Sequence, residues 1–168
     1  MMAQANPTMA MRPFLAADAP LLVEIFRASI AELTGDDYGP SQQQAWAAVA
    51  DDEAAFAQRL SEWLTLIATL GGSPIGFIAL REPDEIEMLY IHPATAGHGA
   101  GSMLTDAIEK LAAARGAKRL TADVSDSARD FFRKRGYVAQ QRNTVLRGDE
   151  WLANTTMTKQ LAPKESAP

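Results

Sequence analysis

Glycines at positions 97, 99 and 101 alternate with His98 and Ala100, where a β-favouring run gives way to a helical pattern. Glycine adopts backbone conformations that a Cβ resists, so alternating glycines let successive amides turn into one concavity. Such a nest of N–H groups holds an anion. A helix that starts at once adds its own unpaired amides and the positive end of its dipole. Gly97, His98, Gly99, Ala100, Gly101 and Ser102 therefore suit a phosphate or pyrophosphate. The competing reading is a tight strand-to-helix connection with no ligand, because a glycine pattern by itself is a weak motif.

Just upstream, Glu85 and Glu87 stand two apart in E-I-E-M-L-Y-I-H-P. Strand alternation puts both carboxylates on one sheet face. A carboxylate there could act as a general base; a solvated or ion-paired strand carboxylate reads the same in sequence. Other phosphate-binding and nucleophile motifs fit poorly. A dinucleotide fingerprint needs G-x-G-x-x-G in a βαβ unit, but the spacing here is G-x-G-x-G and the chain ends in a hairpin pattern. A P-loop needs Lys-Ser or Lys-Thr after its glycines, and an acyl-enzyme serine needs a G-x-S-x-G elbow; neither occurs. The chain has no cysteine, so it has no thiolate nucleophile, disulfide or cysteine-ligated metal. The only histidines are His92 and His98, and no metal site is expected.

The elements that would position these residues follow from periodicity. A first strand is expected over Met9 to Phe14. A helix follows, N-capped at Asp18, with Leu22, Ile25, Phe26 and Ile30 at helical spacing. Gly35 to Pro40 reads as a loop. Two alanine-rich helices follow, one from Ser41 through Trp46 and Val49 and one from Asp51 to Leu60. Leu64 to Leu70 and Ile75 to Leu80 flank Gly71-Gly72 as a hairpin. Glu85 to His92 is the next strand, ended by Pro93. Met103, Leu104, Ala107, Ile108 and Leu111 mark an amphipathic helix closed by Gly116. Leu120 to Val124 is a strand, Ser127 caps a short helix holding Phe131 and Phe132, and two strands close the chain around Gly148-Asp149. This order implies an α/β (α+β) layer around one mixed sheet.

The length of 168 residues fits a single domain over 1–168, with 1–8 and 162–168 as flexible tails. Sixteen basic against 21 acidic residues argue against a nucleic-acid partner held by phosphate contacts and leave room for a cationic one. No apolar run of membrane-spanning length occurs, so no membrane partner is expected. The first residues lack the pattern of a signal peptide, and a cytoplasmic protein is expected.

With strand, H-P, glycine turn and helix in this order, the segment E-I-E-M-L-Y-I-H-P-A-T-A-G-H-G-A-G-S resembles the acetyl-coenzyme A motif of the GNAT N-acetyltransferase superfamily. S-D-S-A-R-D-F-F-R-K-R-G-Y resembles that family's second signature. The element order matches across roughly Met9 to Leu161, and R-N-T-V-L-R-G-D-E-W-L-A-N-T-T-M-T-K-Q-L is similar to an uncharacterised bacterial subgroup. The resemblance implies a mostly antiparallel sheet of six to seven strands, flanked by helices and splayed at the acetyl-CoA site. The activity implied is direct acetyl transfer from acetyl-CoA to a primary amine of a small molecule or protein, in a ternary complex. A homodimer is compatible with the family.

The resemblance also assigns residues. Gly97 to Ser102 would hold the pyrophosphate, although Ala96 stands where the family has Gln or Arg. The main chain of Leu89, Tyr90 and Ile91 would meet the pantetheine arm and thioester, one amide serving the oxyanion. Glu87, with Glu85 second, would be the base. Phe132 stands where the family often has the tyrosine that protonates the leaving thiolate; Tyr90, Tyr137 or water would replace it. Ser125 takes the place of a cofactor-contacting Asn, and Phe132 would pack against the cofactor. Phe26, Tyr38 and Trp46 lie in the region that shapes the acceptor pocket. Phe132 and Ala96 also motivate a rival reading, an acyl-CoA-binding regulatory module without catalysis. A longer acyl donor is a third.

Overall fold

The computed structural model describes residues 8–161, so the expected tails at 1–8 and 162–168 lie outside it apart from Thr8. Seven strands form one sheet: β1 (Met9–Pro13), β2 (Leu64–Leu70), β3 (Ser73–Arg81), β4 (Glu85–Ile91), β5 (Arg119–Ser125), β6 (Val138–Arg147) and β7 (Glu150–Gln160). Their order is β1-β2-β3-β4-β5-β7-β6. Every neighbouring pair is antiparallel except β4 and β5. This is the mixed, mostly antiparallel sheet expected, with helices on both faces.

Alternation along β3 divides the core. Ile78 and Leu80 join one apolar cluster and Phe77 and Ala79 the other. The first is covered by α4 (Ala100–Ala114) through Leu104, Ile108 and Ala112, and by Phe132 of α5 (Arg129–Lys134). The second is covered by α1 (Ala19–Leu33) and α3 (Glu53–Glu62) through Leu22, Phe26, Phe56 and Leu60. A shorter helix, α2 (Pro40–Ala47), lies beyond α1 and touches β6 and β7.

The feature that matters for function is where pairing fails. β4 and β5 pair only at Glu85 with Thr121 and Ile86 with Ala122. Past Ile86 the two strands have no ladder between them. The β3–β4 register also shifts between Ala79 and Leu80, leaving Glu87 as an extra residue in β4. A bulge of this kind bends its strand and raises the local twist, which helps to turn β4 away from β5.

Two expected caps differ. Ser125, not Ser127, holds the turn into α5, its hydroxyl accepting the Ala128 N–H at 3.2 Å; Ser127 instead donates to Asp37 at 2.8 Å. Asp18 precedes α1 but makes no cap bond to it. Its carboxylate accepts from both terminal guanidinium nitrogens of Arg12 at 2.8 Å and from the Leu15 N–H at 2.9 Å. The ion-pair geometry wins because Arg12 lies beside it.

Candidate active site

The gap between β4 and β5 opens into a cleft of about 770 Å³. One end is the glycine turn and the first turn of α4; the other is a set of rings and hydroxyls from α1, the α1–α2 connection and α2.

At the glycine end Gly97 and Gly99 have φ of 86° and 89°, which an L side chain rarely adopts. A Cβ at either would meet nothing within 4 Å, so glycine is needed here for conformation and not for room. The first intrahelical bond of α4 runs from Met103 N–H to Gly99 O at 3.0 Å. The amides of Gly97, Gly99, Ala100, Gly101 and Ser102 have no acceptor among the described residues. The His98 amide differs. It donates back to Thr95 O at 3.3 Å and is spent inside the turn, and its imidazole is exposed outside the cleft lining. Five free donors beside a helix N-terminus suit an anionic phosphate group.

The free edge of β4 follows from register. His92 N–H donates to Ile75 O at 2.7 Å, so Ile91 and Gly76 form a non-hydrogen-bonded pair. Two residues back, Leu89 and Ile78 are the same type of pair. The N–H and C=O of Leu89 and Ile91 therefore point away from β3, into the gap. Tyr90 alternates with them. Its main chain is bonded to β3 opposite Phe77, so of the three expected backbone contacts Tyr90's is corrected.

At the other end Tyr90 sits edge-on to Phe26 at 4.7 Å and to Trp46 at 6.4 Å between ring centroids. Trp46 Nε1–H donates to its hydroxyl at 3.1 Å. Tyr38 donates to Ala153 O at 2.5 Å and accepts the Asp126 N–H at 3.0 Å, tying the α1–α2 connection to β7 and to the turn after β5. Tyr38 and Trp46 line the cleft. Phe26 does not. It is 1% exposed, packed against Phe56 at 5.4 Å. The helical spacing that singled it out was that of a core residue.

Glu85 and Glu87 both line the cleft and share one partner, Arg81. Arg81 Nε reaches Glu87 Oε1 at 2.8 Å, and a terminal nitrogen contacts Glu85. The two carboxylates do share a face, although the bulge breaks the alternation that predicted it. Ile86 packs with the α4 cluster, while Met88 packs with the α1 cluster.

A family model described as an acetyltransferase (GNAT) domain matches residues 34–161. The chain belongs to the GNAT acetyltransferases. It is 27% identical over 146 residues to the uncharacterized N-acetyltransferase YafP of Escherichia coli, covering 87% of this chain and 92% of that one. It is 60% identical to a GCN5-related N-acetyltransferase from Rhodopseudomonas palustris whose crystal structure superposes with a TM-score of 0.90, over 96% and 99% of the two chains. It shares its fold with the PaiA N-acetyltransferase of Thermoplasma acidophilum in complex with coenzyme A, at 19% identity, a TM-score of 0.77 and coverage of 91% and 99%. The co-substrate of GNAT acetyltransferases is acetyl-CoA. Family membership favours the enzyme over the regulatory module.

In this GNAT chain the acid expected for the leaving group is hard to place on a tyrosine. Phe132 is 4% exposed, packs edge-on against Phe131 and Tyr137 and lines the cleft, but has no proton to give. Tyr137 donates to Glu109 at 3.0 Å on the α4 face, outside the lining, and burial beside Glu109 pushes it far up. Burial raises Tyr90 to about 12. That makes it a weaker proton donor to a thiolate than an ordinary tyrosine near about 10, and its hydroxyl is tied to Trp46 at the aromatic end.

Sequence reasoning missed several cleft residues. Phe131 lines the cleft beside Phe132 and lies 3.4 Å from where a Gly101 Cβ would be; the aromatic pair is its signal in the sequence. Asp123 lines the cleft from β5 and accepts the Thr156 hydroxyl at 2.6 Å. Leu152, Asn154 and Arg147 come from the final hairpin. Only the β5-β7-β6 order brings these to the site, and no local pattern carries it.

Proposed function

We propose that this GNAT acetyltransferase moves an acetyl group from acetyl-CoA to a primary amine by direct attack in a ternary complex. The observation that carries the reading is continuous. The free edge of β4 at Leu89 and Ile91 runs into the five unpaired amides from Gly97 to Ser102, which suits a molecule with an extended amide arm and a pyrophosphate. When bound, acetyl-CoA supplies an activated thioester. Gly97, Gly99, Ala100, Gly101 and Ser102 hold the phosphates, Phe131 and Ser125 border the arm, and a β4 amide polarises the carbonyl oxygen.

Glu87 is the base, acting directly or through water, with Glu85 second and Arg81 fixing both. Asp123 faces the same opening. Tyr38 and Trp46 wall the acceptor end. With no tyrosine suited to protonate the thiolate, solvent at the open cleft does so. The relatives from Escherichia coli and Rhodopseudomonas palustris are bacterial, and a bacterial cytoplasm, where acetyl-CoA is held, is the setting this reading assigns. The chain works as one domain.

Glu87→Gln and Asp123→Asn separate the base candidates under saturating acetyl-CoA. Glu87→Gln lowers kcat by about a hundredfold or more with unchanged acetyl-CoA binding, and Asp123→Asn has a smaller effect. The reverse order would move the base to β5.

A further inference from the structure

The cleft carries its charges at two separated places. Its carboxylates, Glu85, Glu87 and Asp123, come from β4 and β5. Arg147, the one cationic side chain of the lining among the described residues, comes from the end of β6. It pairs with Glu150 across the hairpin register, and the next residue, Gly148, packs toward α2, where its Cβ would lie 4.0 Å from Ala45. That places Arg147 on the aromatic side, close enough to Tyr90 for its charge to favour the ionised phenol.

Arg147 is exposed and makes no ion pair among the described residues; its one bond is to the Leu146 carbonyl at 3.0 Å. Glu85 and Glu87 are held by Arg81, and Asp123 by Thr156. Two neutral hydroxyls at the same end are also unspent. Tyr90 accepts from Trp46, but its own proton has no acceptor among the described residues. Ser29, buried on α1 and lining the cleft, makes no side-chain bond among them. A cation with two available hydroxyl donors matches an anion, and the guanidinium fork matches a carboxylate in particular.

Resting on the acetyltransferase reading above, we infer that Arg147 is a specificity-determining residue that takes a carboxylate of the acceptor. The acceptor is then a small molecule with an amine a few bonds from a carboxylate, as in an amino acid. Its amine faces the acidic strands, its carboxylate faces Arg147, and its side chain lies against Tyr38 and Trp46. The acidic net charge of the whole chain favours cations, but local placement decides recognition.

The test pairs amino acids with their carboxamides: phenylalanine, leucine and glutamine, against wild type, Arg147→Gln and Arg147→Lys. Two readouts are taken: thiol release from acetyl-CoA, and calorimetric binding of each compound to the protein loaded with coenzyme A. We expect at least one amino acid to bind about ten to a hundredfold tighter than its carboxamide in wild type. The preference disappears in Arg147→Gln through KM with little change in kcat, and is partly kept in Arg147→Lys. Equal binding of acid and amide in wild type, an equal loss of both in Arg147→Gln, or no binding of any amino acid overturns the inference. Selective binding without thiol release would keep Arg147's role and sink the acetyltransferase reading instead.

Discussion

Trp46 donates its indole N–H to the Tyr90 hydroxyl at 3.1 Å, joining α2 to the strand whose far edge lies open to the cleft. The bond fixes the aromatic wall relative to β4. Trp46→Phe removes the donor while keeping most of the ring. It should cost about 1 kcal/mol of stability and raise the KM for the amine several-fold, while acetyl-CoA affinity stays the same. Steady-state kinetics with each substrate varied in turn checks this; a loss confined to acetyl-CoA would misplace the wall.

Gly99 and Gly116 both sit in the left-handed region with open space around them, at φ of 89° and 96°. Alanine at either should cost about 1 kcal/mol or somewhat more of stability. Only Gly99→Ala should also weaken acetyl-CoA, by roughly tenfold, because only there does the backbone present free amides. Calorimetry and thermal melts of the two variants compare strain with strain. Equal acetyl-CoA affinity in both would remove the cradle.

Asp18 is held below the usual carboxylate range, first by its hydrogen bonds to Arg12 and further by the Leu15 N–H. A depressed folded value means stability that is full above the unfolded value of about 3.9 and lost as pH falls through the lower folded value. Wild type should exceed Asp18→Asn by about 1.5 to 3 kcal/mol at neutral pH, and the gap should close below about pH 4. Urea melts at the two pH values measure it; a gap that does not change would assign the effect to packing.

Much of this architecture was legible because it is written locally. Gly71-Gly72 between two apolar runs, and Leu104, Ile108 and Leu111 after the glycine turn, each state their element without reference to the rest of the chain. What was not legible depends on partners distant in sequence. The extra residue at Glu87 is set by the β3–β4 register, and neither strand announces it alone. Phe26 and Trp46 both carry helical spacing, yet one is sealed against Phe56 and the other reaches the cleft, because α3 covers only the first. Ser125 and Ser127 are equally good caps by type, and Asp37, far away in sequence, takes the second. Asp123 reaches the site only because β5 lies beside β4, and Arg147 only through the strand order β5-β7-β6.

The central claim is met most directly by thiol release from acetyl-CoA, followed on wild-type protein with a panel of small primary amines. The account predicts release that needs both protein and amine, saturates in each, and falls with Glu87→Gln. Acetyl-CoA bound but never turned over with any amine would contradict it and leave a cofactor-binding module in its place.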